Sequence, residues 1–258
     1  MSTPKPPATA FDQLVAAMPA AARELVRSGP PTDLAAIYAE ADRAALAAQA
    51  ALRLELRNAG YLRRRPAEYS TADYATLRPQ QDPGGQVSGW LASDRPTLLL
   101  WGPSWHGKST AAYAIGNDAA RRGIWVETWF VPELADLLGP TPRHLWDDTA
   151  HAARAQDAAR RAAACDLLIL DDLGREDSRE GLLERWRGQL LTILNERSGD
   201  RRRRTIVTGN SNDRADVPER IAGRYGTPVL NRLLMDAARA WIEGKPFRAR
   251  EGDVFDAP

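Results

Sequence analysis

The amino-acid sequence predicts an α/β fold in which helices flank a parallel β-sheet, preceded by a small helical N-terminal segment. Two observations lead to this prediction. Short apolar runs alternate with helical stretches between residues 95 and 210, and this alternation is typical of parallel sheets covered on both faces. One apolar run also breaks into a glycine-containing turn before a helix, which is where such folds bind anions.

The composition fits one domain with a small addition. The chain has 258 residues, of which 43% are hydrophobic and 27% are charged, as in an ordinary globular protein. A single cysteine, Cys165, excludes an internal disulfide, and three histidines leave little material for a metal centre. The apolar runs are too short to span a membrane, and the N-terminus lacks a secretory apolar core. We therefore expect a cytoplasmic protein without a membrane partner.

Arginine forms two runs, at residues 63–65 and 201–204, although the net charge is only +1. They are interpreted either as local phosphate contacts or as solvated surface, because arginine binds phosphate bidentately and charge runs usually face water.

The N-terminal part is predicted to be helical after a short tail. Residues 1–10 are rich in Pro and Thr and are expected to be disordered. Residues 11–27 are amphipathic, and a second helix is predicted from a cap at Thr32 or Asp33 to about Asn58, closed by Gly60. Such a helix must cover its apolar face, either within the chain or on a partner. Residues 11–64 are therefore assigned as a partner-binding segment, whose apolar face begins with Leu34, Ile37, Tyr38 and Ala41.

The main domain is assigned to residues 65–258. Residues 61–96 show little periodicity, and strands are predicted at 97–101, 124–131, 166–170 and 205–209. Helices are predicted at about 108–121, 150–164 and 182–197. After residue 210 the pattern becomes helical, and "ARAWIE" with "KPFRAR" suggests a small terminal hairpin.

The stretch "LLLWGPSWHGKST" carries the clearest chemistry. Its residues match G-x-x-x-x-G-K-[ST], a loop whose backbone amides cradle phosphates. Lys108 would place its charge on the phosphates, and the Ser109 hydroxyl would bind Mg²⁺. Trp105 and His106 occupy positions where small residues are usual. Trp105 can point outward if its backbone conformation is not one that only glycine reaches, and we expect His106 to face solvent rather than the γ-phosphate. The predicted nucleotide-binding residues are Gly102, Pro103, Ser104, Trp105, His106, Gly107, Lys108, Ser109 and Thr110.

Two further strands end in polar residues. "DLLILDDLG" places Asp171 and Asp172 at the end of an apolar run. Because consecutive strand residues face opposite ways, the two acids are expected to differ in role. Asp171 would hold Mg²⁺ through water, and Asp172 would orient or deprotonate the attacking water. Asn210, at the end of the last predicted strand, could contact the γ-phosphate or that water.

These motifs together resemble the AAA+ ATPases, and within them the DnaC/IstB group. The resemblance covers roughly residues 65–250 and rests mainly on the phosphate loop, "DLLILDDLGRE" and "RRTIVTGNSN". It implies ATP and Mg²⁺ as cofactors, with Asp172 and Asn210 as catalytic residues. It also implies that Arg232 in "VLNRLL" is an arginine finger and that Arg248 in "PFRAR" is a sensor-like residue near the nucleotide.

The resemblance also implies partners. An arginine finger acts on a neighbouring subunit, so we expect a homo-oligomer formed with ATP. Single-stranded DNA is the expected substrate, with candidate contacts in 129–146 and at Arg175, Ser178 and Arg179. The function we predict is loading of a replicative helicase, held by the N-terminal helices, by a weak, DNA-stimulated ATPase.

Three alternatives remain at this point. The main one is an IstB-type transposition ATPase that acts on DNA with a transposase. The others are a small-molecule P-loop kinase and an adaptor that binds nucleotide but does not hydrolyse it because of Trp105 and His106.

Overall fold

A computed structural model describes residues 15–20, 23–24, 34–139, 149–176 and 180–246. The chain divides into two compact units, Met1–Leu56 and Arg57–Pro258. The division falls before the predicted boundary after residue 64, so the end of the first long helix belongs to the larger unit. The predicted disordered tail, residues 1–10, lies outside the described residues.

The elements follow the predicted alternation. The helices are α1 (Leu34–Arg64), α2 (Lys108–Arg121), α3 (Val131–Leu138), α4 (Thr149–Ala164), α5 (Glu180–Ser198), α6 (Val217–Tyr225) and α7 (Thr227–Leu234). The strands are β1 (Thr97–Gly102), β2 (Val126–Phe130), β3 (Leu167–Leu173), β4 (Arg204–Asn210) and β5 (Ala237–Trp241).

The five strands form one parallel sheet in the order β2-β3-β4-β1-β5. All strands therefore end at the same edge, and the residues that follow β1, β3 and β4 meet there. Since β1 lies between β4 and β5, the loop after β1 lies next to the ends of both strands. This edge is where open α/β sheets bind their ligands.

Apolar side chains cover both faces of the sheet. Along β1, Leu98 and Leu100 belong to one buried cluster, while Leu99 and Trp101 belong to the other. Helix α2 and Tyr61 lie in the first cluster; residues of α3, α4, α5 and α7 lie in the second. Burial on both faces explains why the strands read as continuous apolar runs rather than as alternating ones.

Helix α1 continues past Gly60, where the sequence predicted its end, to Arg64. A Cβ atom at residue 60 would lie 2.8 Å from Nη2 of Arg161, so glycine permits a close approach here rather than ending the helix. The next residue, Tyr61, is fully buried, and its hydroxyl donates to Oδ1 of Asn117 at 2.9 Å. Packing of the last turns within the larger unit therefore outweighs the low helix propensity of glycine.

A buried carboxylate joins the end of α1 to β2 and α4. The side chain of Glu127 is completely buried, and it accepts hydrogen bonds from Arg64 and from Nε of Arg161 at 3.0 Å. The indole of Trp125 donates to the same carboxylate at 3.1 Å. Arg64 is thus held by an acid, and Arg65, next to it, donates to Asn117. Neither side chain is a phosphate contact or simple solvated surface.

The second arginine run also has internal partners. Arg204 lies over the ring of Trp90, 4.2 Å from its centroid, and donates to four backbone carbonyls between residues 90 and 95. Arg203 donates to the carbonyls of Ala163 and Glu196. Both interpretations made from the sequence are wrong for these two residues, which link β4 and the chain before it to surrounding segments.

Residues 67–92, which lack periodicity, fold into short 3₁₀ helices: Ala67–Tyr69, Tyr74–Thr76, Pro79–Gln81, Pro83–Gly85 and Trp90–Ala92. Val87, Trp90 and Gln81 are buried there. This segment therefore contributes to the core of the larger unit.

The prediction of a terminal hairpin is wrong for its first arm, "ARAWIE". Strand β5 pairs in parallel with β1, from Ala237 against Thr97 to Trp241 against Trp101. Most of the predicted second arm lies outside the described residues. None of the helices in the described ranges combines the length and the hydrophobicity of a membrane-spanning helix.

Candidate nucleotide site

The loop between β1 and α2 has the backbone that its two glycines predict. Gly102 has φ +147°, and a Cβ atom there would lie 1.9 Å from the carbonyl oxygen of Ile242. Gly107 has φ +86° and precedes the first residue of α2, Lys108. Only glycine fits the first position, and a left-handed residue at the second turns the chain into the helix. The N-terminus of α2 thus begins directly at the loop, where its free N–H groups favour an anion.

Trp105 adopts a left-handed conformation with φ +70° and exposes 57% of its surface. The side chain is thus exposed at the rim of the cavity, although the backbone conformation is one that favours glycine. The conformation costs an L-residue about 1 kcal/mol, because Cβ crowds the following carbonyl.

His106 does not simply face solvent. Its Nδ1 lies 2.7 Å from the carbonyl oxygen of Ser104, and its Nε2 lies 2.8 Å from that of Gly244. The ring therefore connects the loop to the chain that follows β5. Nearby, the buried side chain of Gln81 donates to the carbonyl oxygen of Gly107 at 3.1 Å. Sequence reasoning missed Gln81, because it lies in the segment without periodicity.

Lys108 is buried beneath the loop and donates to the carbonyl oxygen of Pro103. Burial lowers the pKa of its ammonium to about 8, although the charges of Asp172 and Asp171 oppose this. The two acids are therefore near enough to stabilise the lysine charge. Its predicted role on the phosphates stays a prediction.

Asp171 faces the start of α2. Its Oδ1 accepts a hydrogen bond from the Ser109 hydroxyl at 2.8 Å and another from the Thr208 hydroxyl at 2.6 Å. Burial raises the pKa of this carboxyl to about 6, the negative charge of Asp172 adds to the effect, and the two hydroxyls oppose it. The adjacent hydroxyl and carboxylate oxygens of Ser109 and Asp171 are the hard ligands that Mg²⁺ prefers. These two side chains would hold the predicted cation.

Asp172 has different partners from Asp171. Its Oδ1 accepts from Nδ2 of Asn210 at 3.1 Å, and its Oδ2 pairs with Arg175 at 3.0 Å. The backbone is not the regular strand that the sequence suggested, because Asp172 has φ +63° and the β3–β4 register shifts between Leu170 and Leu173.

The predicted residues of the three strand ends thus lie together. Thr208 lies in the stretch "RRTIVTGNSN" but is not among the predicted site residues, yet it contacts both acids: its hydroxyl donates to Asp171 and accepts from the backbone N–H of Asp172 at 2.8 Å. Thr208 lies two residues before Asn210, so the two-residue period of a strand could have placed both on one face.

A cavity of about 920 Å³ extends from the loop to helix α6. Its lining includes the loop residues Trp105 and Lys108, the strand ends at Asp172 and Asn210, and Arg220 of α6. Helix α6 is tied to the β3 end by Glu176, which accepts hydrogen bonds from the Gly174 N–H, the Arg224 guanidinium and the Tyr225 hydroxyl. The cavity is large enough for a nucleotide.

Other predicted residues lie outside this group. Arg232 is on α7, exposed, and its Nε donates to Oδ1 of Asn195 at 2.7 Å; it does not line the cavity. Among the DNA-contact candidates, Arg175 is described, and Trp129 packs against the core with Arg64 over its ring. Arg248, Ser178, Arg179 and residues 140–148 lie outside the described residues.

Comparison with solved structures identifies the fold. The crystal structure of the DnaC helicase loader superposes with a TM-score of 0.55 at 19% identity, covering 69% of this chain and all of that chain. The structure of DnaI gives 0.54 at 20% identity, covering 71% and 94%. Both have the P-loop NTPase fold found here. At these identities the likeness concerns the fold alone.

Comparison of sequences identifies relatives and a family. An insertion sequence ATP-binding protein of Sinorhizobium fredii, y4pL, is 34% identical over 167 residues, which are 64% of this chain and 62% of that protein. An ATP-binding protein of insertion sequence IS1162 of Pseudomonas fluorescens is 31% identical over 142 residues, 55% of each chain. The alignments thus span less than two thirds of both relatives. The model of the IstB-like ATP binding proteins matches residues 88–252, and the chain belongs to this family, within the AAA+ DnaC/IstB group.

Proposed function

We propose that the protein is a DNA-stimulated ATPase of transposition, which hydrolyses ATP while it assists a transposase on DNA. The convergence of the phosphate loop with the ends of β3 and β4 carries the ATPase part of the proposal. In that region Ser109 contacts Asp171 and Asn210 contacts Asp172. The curated relatives at 31–34% identity, both named for insertion sequences, favour transposition over helicase loading.

In this proposal the loop and Lys108 bind the phosphates. Bound Mg²⁺, held by Ser109 and Asp171, would neutralise charge on the phosphates. Asp172 orients the attacking water and accepts its proton as the new phosphorus–oxygen bond forms and the bond to ADP breaks. Asn210 holds the Asp172 carboxylate in place, and the pair with exposed Arg175 must open for the water to approach.

We assign Arg232 to the site of a neighbouring subunit. It lies away from its own cavity and is exposed on α7. An arginine that reaches the phosphates from another subunit typically raises the hydrolysis rate by about 10³-fold or more. Arg248 would contact the nucleotide from the same chain.

The N-terminal segment is the proposed partner-binding part. Within the described part of α1, Tyr38, Leu46 and Leu52 expose 66%, 65% and 56% of their surface. Apolar side chains exposed along one helix favour a helix-in-groove contact. The side chains of Leu34 and Ile37, predicted for the same face, lie outside the description.

ATP hydrolysis is tested with the purified chain and its Lys108→Ala variant, each with no DNA, single-stranded DNA or duplex DNA. We expect weak activity that DNA raises and that the variant lacks. Arg232→Ala should keep ATP binding and lose hydrolysis. Mixtures of the two variants should regain part of the activity, because one supplies an intact finger and the other an intact site. Tight ATP binding without hydrolysis under every DNA condition would instead support the non-hydrolysing adaptor.

Helicase loading, our prediction from the sequence, is the alternative that the same experiments address. It is supported by the resemblance of the motifs to the DnaC/IstB group and by the fold shared with the DnaC helicase loader. Stronger stimulation by single-stranded than by duplex DNA, together with capture of a replicative helicase by the full chain, would favour it. Capture of a transposase would favour transposition. Leu52→Ser should weaken either capture, while Arg53→Ser, at the adjacent exposed position, should not.

A further inference from the structure

The two acids at the end of β3 lie on an irregular piece of strand. The pairing of β3 with β4 shifts between Leu170 and Leu173, and Asp172 adopts φ +63°. A bulge of this kind leaves a residue outside the ladder of strand hydrogen bonds. A non-glycine residue in this conformation is strained and persists only where its surroundings hold it.

The hydroxyl of Thr208, on β4, stabilises this conformation of Asp172. The backbone N–H of Asp172 donates to the Thr208 hydroxyl oxygen at 2.8 Å, in place of a strand carbonyl. The same hydroxyl donates its proton to Oδ1 of Asp171 at 2.6 Å. Thr208 is fully buried, so water cannot replace it. One side chain therefore fixes both the carboxylate of the first acid and the backbone of the second.

The other contacts of the two acids do not make Thr208 redundant. Ser109 also donates to Asp171. Ser109 is itself a proposed cation ligand, however, so its hydroxyl must also serve the cation. Asn210 holds the Asp172 carboxylate but not its backbone. Among the described residues, Thr208 is the one whose side chain forms hydrogen bonds with both acids.

We propose that Thr208 is a positioning residue for ATP hydrolysis, whose hydroxyl sets the relative placement of Asp171 and Asp172. The inference rests on the proposed ATPase function. Without the hydroxyl, the bulge loses the acceptor of its N–H and Asp171 loses its shortest hydrogen bond. Asp172 then samples other backbone conformations, and the water it orients is misplaced. Small misplacements of reacting groups lower rates by about 10²-fold.

The test compares Thr208→Val with Thr208→Ser. Valine keeps the shape and β-branching but removes the hydroxyl; serine keeps the hydroxyl and removes a methyl group. We expect kcat to fall at least about 30-fold in Thr208→Val and to stay within about 3-fold of wild type in Thr208→Ser. The Kd for ATP, measured with a fluorescent analogue, should change less than about 3-fold in both, because the phosphate loop is untouched. Hydrogen exchange at the Asp172 amide should accelerate in Thr208→Val alone.

Thr205→Val is the matched control. Thr205 is buried near the other end of β4, and its hydroxyl accepts from Arg197, far along the strand from the acids. This variant should keep the kcat of wild type after allowance for any loss of folded protein. If Thr208→Val does not fold, Thr208→Ala against Thr208→Ser asks the same question, because both lack the methyl group and differ in the hydroxyl.

Three results would overturn the role of Thr208. One is an unchanged kcat in Thr208→Val, or in Thr208→Ala where that variant replaces it. Another is a parallel fall of kcat, ATP affinity and melting temperature, which would mean a purely structural role. The third is a Thr208→Ser variant as impaired as Thr208→Val. A wild-type protein that binds ATP without hydrolysing it refutes the proposed function instead, and the role of Thr208 in hydrolysis with it.

Discussion

Replacing Glu127 with glutamine should destabilise the larger unit strongly. The carboxylate is completely buried and lies between two guanidinium groups, those of Arg64 and Arg161. Glutamine has nearly the same shape but no charge. The two arginines would then lose the anion between them, and the amide nitrogen would meet donors where the carboxylate offered acceptors.

The magnitude follows from burial. Removing one partner from a buried ion pair costs about 3–5 kcal/mol, because the other charge is left uncompensated. The Arg64 and Arg161 side chains keep 32% and 27% exposure, so water recovers part of their solvation. We therefore expect about 3 kcal/mol, the lower end of that range. For a domain of this size each kcal/mol lowers the melting temperature by about 2–4 °C, so the expected fall is about 6–12 °C.

Urea unfolding, followed by circular dichroism, measures the free energy of unfolding of both proteins. Asp157→Asn is the control, because it is the same chemical change at an acid 3.8 Å from the same Arg161 but 45% exposed. Exposed pairs contribute little, so the control should lose less than about 1 kcal/mol. A loss within 0.5 kcal/mol of the control for Glu127→Gln would refute the reasoning, since the buried charge would then have no special weight.

Three further predictions concern other buried groups. Arg197→Met should lower the free energy of unfolding by about 2–4 kcal/mol in urea titrations, because the guanidinium donates to the carbonyls of residues 162, 165 and 204 in a fully buried site; a loss below 1 kcal/mol would contradict it. Gly102→Ala should weaken ATP binding at least about tenfold in calorimetric titrations, because its Cβ would collide with Ile242 and displace the loop; unchanged affinity would mean that the loop tolerates the shift. Cys165 should resist thiol reagents at pH 8 until the protein unfolds, because burial raises the pKa of its thiol to about 11. Fast labelling of the native protein would refute this burial of the thiol. The thiol proton is bound more tightly in the folded state, so the free energy of unfolding should fall as pH rises from about 8.5, by up to about 1.4 kcal/mol per pH unit from this group.

The sequence predicted four of the five strands and the position of most candidate site residues at the strand ends, because both depend on local patterns. Continuous apolar runs identify strands that are buried on both faces, and the two glycines of the phosphate loop have the positive φ that the motif requires. Asp171, Asp172 and Asn210 lie at strand ends, and parallel strands bring their carboxyl ends to one edge. The placement of these residues therefore followed from strand assignment alone.

Features that depend on contacts between distant segments could not be predicted in this way. Gly60 looked like a helix terminator, whereas it allows α1 to approach Arg161, which lies about a hundred residues later in the chain. The pairing of β5 with β1 also has no local signal, because "ARAW" would pair equally well with a following arm. The arginines at 203 and 204 show the same limit, since a run of charges does not reveal the backbone carbonyls that surround it.

Non-glycine residues with a left-handed backbone depend both on the local motif and on contacts with distant segments. Within the described ranges they are Trp105, Asp172 and Asp236, and the first two line the proposed nucleotide cavity. Local rules disfavour both conformations, so contacts outside the local sequence must hold them. For Asp172 that contact is the Thr208 hydroxyl of the neighbouring strand β4. Next to Trp105, the side chain of His106 contacts the carbonyl of Gly244, in the chain that follows β5. The sheet therefore does more than display the motif residues, because a neighbouring strand also holds the backbone of Asp172 in a conformation that this residue would not adopt alone.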